Sequence, residues 1–400
     1  MKLSRRANLV QPSPTLAITA RAKAMQAAGK DVISLSAGEP DFETPEHVGR
    51  AGIEAIEQGF TRYTATAGTP ELRAAIAEKH QRENNLRYDP ATEIIATVGA
   101  KHAIYNAMQA LVDEGDEVLV PSPFWVSYPD MARLAGGTPV EVPTFAEEDF
   151  VVRAEDLEKR ISEKSAVLVL NSPSNPTGAV YPRQALEAIA EVVRRHPRLV
   201  VISDDIYEHL VYGDEPFLNI LNVAPDLRDR TIVINGLSKS FSMTGWRIGW
   251  AAGPAEAIGA MQRIQDQSTS NPTSITQKAA IAALRGGNEC VARMRQAFDE
   301  RRRFVQTRLS AIPGVRCPEI RGAFYAFFDV RQVLQGSFRG EPLGGQSSRF
   351  CEVLLEEFHV ATVPGSAFGA EGFVRLSFAT SMEALRIGLD RLEAFVREID

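Results

Sequence analysis

The sequence predicts an α/β protein with a large domain built on a mostly parallel sheet between helices, followed by a smaller α+β domain. Short β-rich runs alternate with helical stretches through most of the chain. Several of these runs, such as AVLVL and LVVIS, are apolar on both faces, which is typical of parallel strands that helices cover on each side. After about residue 287 the alternation ends, and one long helical stretch precedes the remaining strands.

The first helices are predicted to begin where an N-cap residue precedes a proline that suits the first helical turn. Three pairs have this pattern: Ser13-Pro14, Thr44-Pro45 and Thr69-Pro70. The predicted strands of the large domain are 93–97, 117–120, 166–170, 199–203, 231–235 and 248–252. We expect these strands to form one sheet because helical stretches separate most of them.

The C-terminal part predicts a long helix over 289–309, then strands over 323–330, 360–363 and 374–378. Arg301, Arg302 and Arg303 are expected on the exposed side of the long helix. The last helix is predicted to begin at Thr380, because Glu383 completes the spacing of a capping box. We expect residues 46–287 to form the large domain that binds the cofactor proposed below and 288–400 to form the small domain. Residues 1–45 are expected to be a segment that joins the small domain.

Composition limits the classes of function. The 400 residues include 44 basic and 51 acidic side chains, so the formal net charge is −7 and a generic nucleic-acid binder is disfavoured. Three cysteines without CxxC spacing predict reduced thiols, and six histidines show no metal-ligand spacing. No stretch has the length and apolarity of a membrane span or of an export signal. We therefore expect a cytoplasmic protein that binds neither metal nor membrane.

Polar side chains directly follow several predicted strands, at the edge of a parallel sheet where ligands collect. The segment NSPSNPTG follows one strand and contains Asn175, and DDIYEH follows the next and contains Asp204 and Tyr207. Two further strands lead into VGAKHA and GLSKSFSMTGWRIGW. The residues of interest in those two segments are Gly99, Ala100, Lys101, Ser238, Lys239 and Arg247.

Lys239 and Asp204 indicate the chemistry of this edge. A buried amine loses basicity and becomes nucleophilic toward an aldehyde, while Arg247 and Ser238 could bind a phosphate. An isolated lysine next to a serine is more commonly a surface residue. The residues that follow the neighbouring strands are therefore needed to distinguish a reactive lysine from a surface one. Asp204 ends an apolar strand, where a carboxylate is costly unless a cation faces it. A pyridinium nitrogen would serve, and pyridoxal phosphate requires all of these groups.

The chain resembles the class I pyridoxal-phosphate-dependent aminotransferases of fold type I along nearly its whole length. The segments that carry the resemblance occur in the family's order: SAGEPDFETP, RYTATAG, SPFWVSYPDM, NSPSNPTG, SDDIYEHLVY, SKSFSMTGWRIGW, VPGSAFG and VRLSFATS. The chain looks most like the bacterial aspartate aminotransferase subgroup that includes aspartate/prephenate aminotransferases.

The resemblance implies a role for each cofactor residue. Lys239 would form the Schiff base with pyridoxal phosphate and then move the substrate proton, and Asp204 would pair with the ring nitrogen. Asn175 and Tyr207 would bind the phenolate oxygen, and Trp125 would stack on the ring. The phosphate-binding group would comprise Arg247, Ser238, Gly99, Ala100, Lys101 and, from a partner subunit, Tyr63. The last assignment implies a homodimer with shared sites.

The resemblance also implies how the substrate binds. Arg375 would bind the α-carboxylate, and Gly38 would lie over the substrate beside Trp125 and Asn175. The segment QDQSTSNPTS lacks the arginine that binds the distal carboxylate in the longer-studied relatives. In the bacterial subgroup a lysine does so instead, which here is Lys101, with Thr15 nearby. The expected reaction is a ping-pong transfer between L-aspartate and 2-oxoglutarate.

Other activities stay open at this point. Prephenate, an aromatic amino acid or alanine could replace aspartate as the partner substrate. Relatives that act on prephenate often have a lysine where this chain has Gln11, which disfavours that substrate. A pyridoxal phosphate lyase would share the cofactor residues. A non-catalytic transcription regulator would need a DNA-binding domain, for which no room exists before Gly38.

Overall fold

The computed structural model describes residues 1–10 and 12–400; Gln11, with the prediction made from it, lies outside the described residues. The helices are α1 (Arg5–Asn8), α2 (Pro14–Ala27), α3 (Glu46–Glu57), α4 (Pro70–Asn84), α5 (Ala100–Leu111), α6 (Ser127–Leu134), α7 (Ala154–Glu158), α8 (Arg183–Arg195), α9 (Ile220–Val223), α10 (Ala255–Asp266), α11 (Ser274–Arg285), α12 (Glu289–Ser310), α13 (Ser347–Phe358) and α14 (Met382–Arg397). None of the helices among the described residues has the length and apolarity needed to cross a membrane.

The strands fall into one large sheet and three small ones. They are β1 (Ile33–Ser34), β2 (Ile94–Thr97), β3 (Glu117–Ser122), β4 (Thr138–Pro143), β5 (Ser165–Asn171), β6 (Val200–Asp204), β7 (Thr231–Gly236), β8 (Gly249–Ala252), β9 (Tyr325–Asp329), β10 (Ser337–Phe338), β11 (Glu341–Pro342), β12 (Val360–Ala361), β13 (Val363–Pro364) and β14 (Phe373–Ser377). The large sheet has the order β2-β8-β7-β6-β5-β3-β4. Strand β8 is antiparallel to both of its neighbours, and the other pairs are parallel. The predicted α/β fold with a mostly parallel sheet is confirmed.

Both faces of the large sheet are buried, which explains the apolar runs in the sequence. In β5, Val167 and Val169 belong to the apolar cluster that contains α5, whereas Leu168 and Leu170 belong to the cluster that contains α8. Successive side chains of a strand point to opposite faces, so a strand covered on both sides must be apolar at every position. The sheet is thereby fixed between two helical layers, and its carboxyl-end edge stays in a constant position.

The C-terminal strands form a separate antiparallel sheet with the order β13-β14-β9. Its main apolar cluster includes Phe298 of α12 and Leu389 of α14. The N-terminal segment attaches to this part of the chain, because β1 pairs in parallel with β12, and Arg301 binds Asp41 with two hydrogen bonds. The domain boundaries after residues 45 and 287 stay a prediction.

Several local predictions were wrong in detail. Ser381, and not Thr380, caps α14, because its hydroxyl accepts a hydrogen bond from the Ala384 amide. Thr44 lies one residue too early to cap α3, and its hydroxyl donates to the carbonyl of Ser242. Strand β4 was not predicted, since its burial is irregular and only one of its six residues is buried.

The arginine triplet of α12 is not a single exposed group. Arg303 is exposed, but the side chains of Arg301 and Arg302 are only 11% and 16% exposed. The guanidinium of Arg301 lies over Phe42, and that of Arg302 lies over Tyr212. The prediction failed for these two residues because packing against distant aromatic rings has no local signature in the sequence.

Candidate active site

A cavity of about 500 Å³ opens at the carboxyl-end edge of the large sheet. The segments that follow β5, β6 and β7 supply its floor, as expected for an open parallel sheet. Residues of the N-terminal segment and of the C-terminal sheet complete its walls. The sequence-predicted residues that line this cavity are Thr15, Gly38, Ala100, Lys101, Trp125, Asn175, Asp204, Tyr207, Ser238, Lys239, Arg247 and Arg375.

Asp204 is a buried carboxylate at the end of β6. The hydroxyl of Tyr128 donates a hydrogen bond to its Oδ2 at 2.5 Å, and the Ile206 amide lies 3.4 Å from its Oδ1. Burial raises the pKa of Asp204 to about 6, against the opposing effect of the Tyr128 bond. No cationic side chain of the described residues forms a salt bridge with this carboxylate. The site therefore favours a cationic ligand atom next to Asp204.

Lys239 projects into the same cavity from the turn after β7. Its Nζ donates a hydrogen bond to the carbonyl oxygen of Gly38 at 2.7 Å. Burial lowers the pKa of Lys239 to about 8, and Arg247 and Arg375 act in the same direction. A sizeable fraction of the amine is consequently neutral near physiological pH, which is the form that can attack a carbonyl or accept a proton.

Arg247 and the first turn of α5 form an anion-binding corner of the cavity. A Cβ atom at Gly99, the N-cap of α5, would lie 2.7 Å from Nη2 of Arg247, so the glycine allows the guanidinium to approach the helix. The backbone of Arg247 has a φ of 55°, a conformation that residues other than glycine rarely adopt. Its Nη1 donates to the carbonyl of Thr244, and Ser238 lies in the same wall. Amides at a helix N-terminus together with a guanidinium suit a phosphate.

Arg375 of β14 also lines the cavity and is only 3% exposed. Its two Nη atoms donate to Asn175 Oδ1 at 2.8 Å and to the Ser36 carbonyl at 2.7 Å, whereas its Nε has no hydrogen-bond partner among the described residues. Its guanidinium lies 4.5 Å from the ring centre of Tyr325. Burial lowers the pKa of Arg375. A buried guanidinium without a carboxylate partner favours an anionic ligand.

Lys101 and Trp125 line the same cavity. The Nζ of Lys101 is 4.8 Å from the ring centre of Trp125. Burial lowers the pKa of Lys101, and the neighbouring Arg247 lowers it further. Thr15 enters the cavity from α2, where its hydroxyl is 2.8 Å from that of Ser13. Lys101 is therefore a further cation, besides Arg247 and Arg375, that could bind an anionic group of a ligand.

One predicted residue lies apart from the cavity. Tyr63 is 92% exposed and does not line the cavity of its own chain. Gly99 does not line the cavity directly, but it begins the helix that does. Gly38 does line it, and a Cβ atom there would lie 2.5 Å from the hydroxyl of Tyr325. The resemblance places Gly38 over the substrate, and the structure shows that a side chain at this position would clash with Tyr325.

Several residues that line the cavity were given no role by sequence reasoning, and three of them shape the site: Tyr128, Asn171 and Tyr325. Tyr128 belongs to SPFWVSYPDM and Asn171 to NSPSNPTG, so both were within reach of the motif argument. Asn171 donates to the Asp204 carbonyl and accepts from the Asn175 amide, which fixes the two segments relative to each other. Tyr325 is an ordinary position of an apolar strand, and no signal in the sequence distinguishes it.

A different cluster, formed by Glu83, Glu208 and His209, has the geometry of a metal site. Lys79 is buried beside it, and its amine contacts Glu208 and lies 3.6 Å from Glu83. Asn235 donates a further hydrogen bond to Glu208 at 2.7 Å. The lysine supplies the positive charge that a metal ion would bring, so this cluster is a neutralised ion-pair network.

These features define an enzyme site that joins a nucleophilic lysine to two anion-binding corners. The family model for aminotransferase class I and II matches residues 30–392, and the chain belongs to this family. It is an aminotransferase of the α/β fold described above.

Two relatives match over almost the whole chain. The aspartate/prephenate aminotransferase of Nitrosomonas europaea is 49% identical over 397 residues, which cover 99% of this chain and 100% of the relative. The aspartate aminotransferase of Geobacillus stearothermophilus is 48% identical, with 99% of each chain covered. Among solved structures, the aspartate aminotransferase of Rhizobium meliloti superposes with a TM-score of 0.97 at 44% identity, covering 100% of both chains. The predicted resemblance to this subgroup is confirmed.

The raised pKa of Asp204 predicts a pH dependence of stability in the ligand-free protein. The folded state retains the proton to about pH 6, whereas the unfolded carboxyl loses it near 3.8. Stability should therefore fall as the pH rises through this interval. Relative to Asp204→Asn, the wild-type free energy of unfolding should decrease by about 2 kcal/mol between pH 4.5 and 7. Urea unfolding of both proteins at the two pH values measures this difference.

Asp214→Asn provides the control, because Asp214 is exposed. Its free energy of unfolding should follow that of the wild type at both pH values. A wild-type protein that gains stability relative to Asp204→Asn on going to pH 7 would contradict the inferred burial effect.

Proposed function

We propose that this aminotransferase uses pyridoxal 5'-phosphate and transfers the amino group of L-aspartate to 2-oxoglutarate by a ping-pong mechanism. The observation that carries the proposal is a set of unmatched charges around one amine. Among the described residues, Arg375, Arg247 and Asp204 form no salt bridge, and the Lys239 amine lies in the same cavity.

The cavity fits the cofactor group by group. The phosphate would bind at Arg247, Ser238 and the N-terminus of α5. The carboxylate of Asp204 would pair with the protonated ring nitrogen, which would reverse the rise in its pKa caused by burial. Asn175 and Tyr207 would contact the phenolate oxygen, and Trp125 would cover the ring. When bound, pyridoxal phosphate supplies a carbonyl that accepts the amino group and a ring that stabilises negative charge.

Lys239 serves as the base in this proposal. Lys239 would hold the cofactor through its carbonyl carbon in the absence of substrate, and its amine would be free within the cavity once the substrate is bound. With its pKa lowered to about 8, the freed amine can accept the α-proton of the amino acid and return it during the second half of the cycle. The oxo acid then leaves, and 2-oxoglutarate enters to receive the amino group.

Arg375 and Lys101 explain a preference for acidic substrates. Arg375 can bind the α-carboxylate with both nitrogen donors after exchanging its contact with Asn175. Lys101, with Thr15 nearby, can bind a distal carboxylate on the other side of the cavity. The names of the relatives from Geobacillus stearothermophilus and Nitrosomonas europaea support aspartate as the donor.

Substrate binding would also bring separate parts of the chain together. Arg375 lies on β14, and it already contacts Asn175 after β5 and Ser36 in the N-terminal segment. We expect a bound carboxylate to strengthen this bridge, so that the proposed small domain (288–400 with 1–45) closes over the large one (46–287). Closure would exclude water while the substrate carries negative charge.

Prephenate is the second candidate for a substrate. The relative from Nitrosomonas europaea carries this substrate in its name, and so does one from Cereibacter sphaeroides that is 49% identical over 386 residues. Prephenate has two carboxylates, so Arg375 and Lys101 suit it as well. Gln11, in place of the lysine of many such relatives, is the argument against it.

A homodimer is the proposed assembly. Tyr63 is almost fully exposed, as are large parts of Ile53 and Ile56 on α3, which is unusual for apolar side chains in a monomer. The cavity is also open beside Arg247, whose side chain is exposed in the single chain. A second subunit that covers this side would bring Tyr63 to the phosphate corner of its neighbour.

Lys239→Ala should abolish transamination, because no other amine lies at the same position to move the proton. We expect turnover with aspartate and 2-oxoglutarate to fall by at least a thousandfold. The visible absorbance that arises when pyridoxal phosphate bonds to the lysine should disappear as well. Lys164→Ala, on the exposed surface, should keep both properties. Retained turnover in Lys239→Ala would exclude the assignment.

Lys101→Gln should weaken the binding of acidic substrates selectively. Loss of one charged contact should raise the KM for aspartate about tenfold or more and leave that for alanine and phenylalanine within a fewfold. Steady-state assays of these donors with 2-oxoglutarate, and of prephenate as an acceptor, measure the effect. Lys30→Gln is the surface control. An equal loss for alanine and aspartate would show that Lys101 does not select the distal carboxylate.

Mixed dimers test the role of Tyr63. Sedimentation should give a mass of about twice 43.8 kDa. Lys239→Ala and Tyr63→Ala should each be impaired as pure proteins. After they are mixed and reassociated, a hybrid dimer holds one site with both an intact Lys239 and an intact Tyr63 from the other subunit, so activity should rise above the sum of the two. No rise in hybrids of confirmed composition would mean that Tyr63 does not act across the interface.

A further inference from the structure

Tyr325 contacts two residues to which the proposed reaction assigns a role, Tyr207 and Arg375. It is buried at the start of β9, with 1% of its surface exposed. Its hydroxyl lies 2.8 Å from the hydroxyl of Tyr207, and its ring centre lies 4.5 Å from the guanidinium carbon of Arg375. One side chain therefore contacts both the proposed cofactor site and the proposed carboxylate site.

We propose that Tyr325 is a positioning residue whose hydroxyl orients that of Tyr207 toward the cofactor oxygen while its ring supports Arg375. The inference rests on the proposed function, because it assigns Tyr207 to that oxygen. Its two parts depend on different atoms of the same side chain, so they can be separated by substitution.

The direction of the hydrogen bond follows from the number of protons. A tyrosine hydroxyl has one proton and can accept further hydrogen bonds. If Tyr207 donates its proton to the cofactor oxygen, it can only accept from Tyr325, which must then be the donor. Burial raises the pKa of both hydroxyls, so both protons are present near neutral pH. The two tyrosines form a short relay in which each donated bond strengthens the next.

The backbone holds Tyr325 in this place. The register of β9 and β14 pairs Ser377 with Tyr325 and Arg375 with Phe327, so Tyr325 and Arg375 point to the same face of the sheet as diagonal neighbours. Two residues before Tyr325, Ala323 adopts a φ of 55°, which is rare for alanine. A Cβ atom at Gly38 would lie 2.5 Å from the Tyr325 hydroxyl, so the ring also has little room to move on that side.

The relay predicts a shift in the titration of the bound cofactor. Tyr325→Phe keeps the ring under Arg375 and removes only the donor to Tyr207. A weaker donation by Tyr207 disfavours the deprotonated cofactor oxygen, so the midpoint of the visible-absorbance titration should rise by about 0.5 to 1 pH unit. Tyr212→Phe is the matched control, because it removes another buried hydroxyl from the same apolar cluster, bonded to the carbonyl of Ala323. Its midpoint should equal that of the wild type.

A double-mutant cycle decides whether Tyr325 acts through Tyr207. Tyr207→Phe should raise the midpoint by itself, and adding Tyr325→Phe should raise it no further. Additive shifts in the double variant, or a midpoint in Tyr325→Phe within 0.2 pH unit of the wild type, would overturn the relay. An equal shift in Tyr212→Phe would overturn it too, since the effect would then come from any loss of a buried hydroxyl.

Binding of an unreactive dicarboxylate tests the role of the ring. Calorimetric titration of the loaded enzyme with maleate should give nearly the same Kd for Tyr325→Phe as for the wild type, while Tyr325→Leu should bind about fivefold or more weakly, because it removes the ring under Arg375. Equal Kd values for Tyr325→Leu and the wild type would overturn this part.

The proposed function itself is tested by the wild type. If wild-type protein incubated with pyridoxal phosphate shows no visible absorbance and no transamination, the proposed function fails. If it shows both and the cycle is additive, only the role of Tyr325 fails.

Discussion

The structure depends on burying charged side chains without pairing them in salt bridges among the described residues. Asp204 lies at the end of a strand with a tyrosine as its only side-chain hydrogen-bond donor among the described residues, and burial raises its pKa to about 6. Arg375 is buried against two oxygens that carry no formal charge, and burial lowers the pKa of Lys239 to about 8. Each arrangement costs stability in the ligand-free chain. A ligand that brings the missing charge removes this cost. The ligand-free protein is therefore less stable than it could be, and ligand binding stabilises it.

The two helical layers are what hold these groups apart. The central strands are apolar on both faces, and the sheet therefore cannot shift relative to α5 and α8 without exposing its core. The left-handed backbone of Arg247 and the glycine at position 99 each reduce the local stability, and the packing of the surrounding layers compensates for this loss. A Cβ atom at Gly249 of β8 would lie 2.3 Å from the Ala100 amide nitrogen, so the sheet and the first turn of α5 are also in close contact at this corner.

The network around Glu208 shows the opposite treatment of buried charge. Glu208 follows Tyr207 directly, and Lys79, Asn84 and Asn235 all bind its carboxylate. Burial by itself would raise the pKa of Glu208, but the attraction of Lys79 and His209 and the hydrogen bonds from Lys79 and Asn84 together lower it to about 2. The fully paired carboxylate of Glu208 fixes the turn that presents Tyr207. Asp204, four residues before Glu208, has no salt bridge among the described residues and is left to a ligand. The same short segment thus combines a structural charge with a functional one.

Local sequence patterns determined most of the secondary structure and, through the resemblance, the residue types of the site. Six of the seven strands of the large sheet were predicted to within a few residues, because a strand buried on both faces is apolar at each position. The cap of α14 was missed because Thr380 and Ser381 are neighbours that can both cap a helix. Strand β4 was missed because a largely exposed strand has no clear alternation of apolar and polar residues. Tertiary structure alone decided that Tyr128 binds Asp204, that Tyr325 lies between Tyr207 and Arg375, and that Arg301 is covered. These contacts join residues far apart along the chain, and the burial that shifts the pKa values comes from all of the surrounding elements together. Neither the long-range contacts nor this burial produces a periodic pattern in the sequence around a single residue.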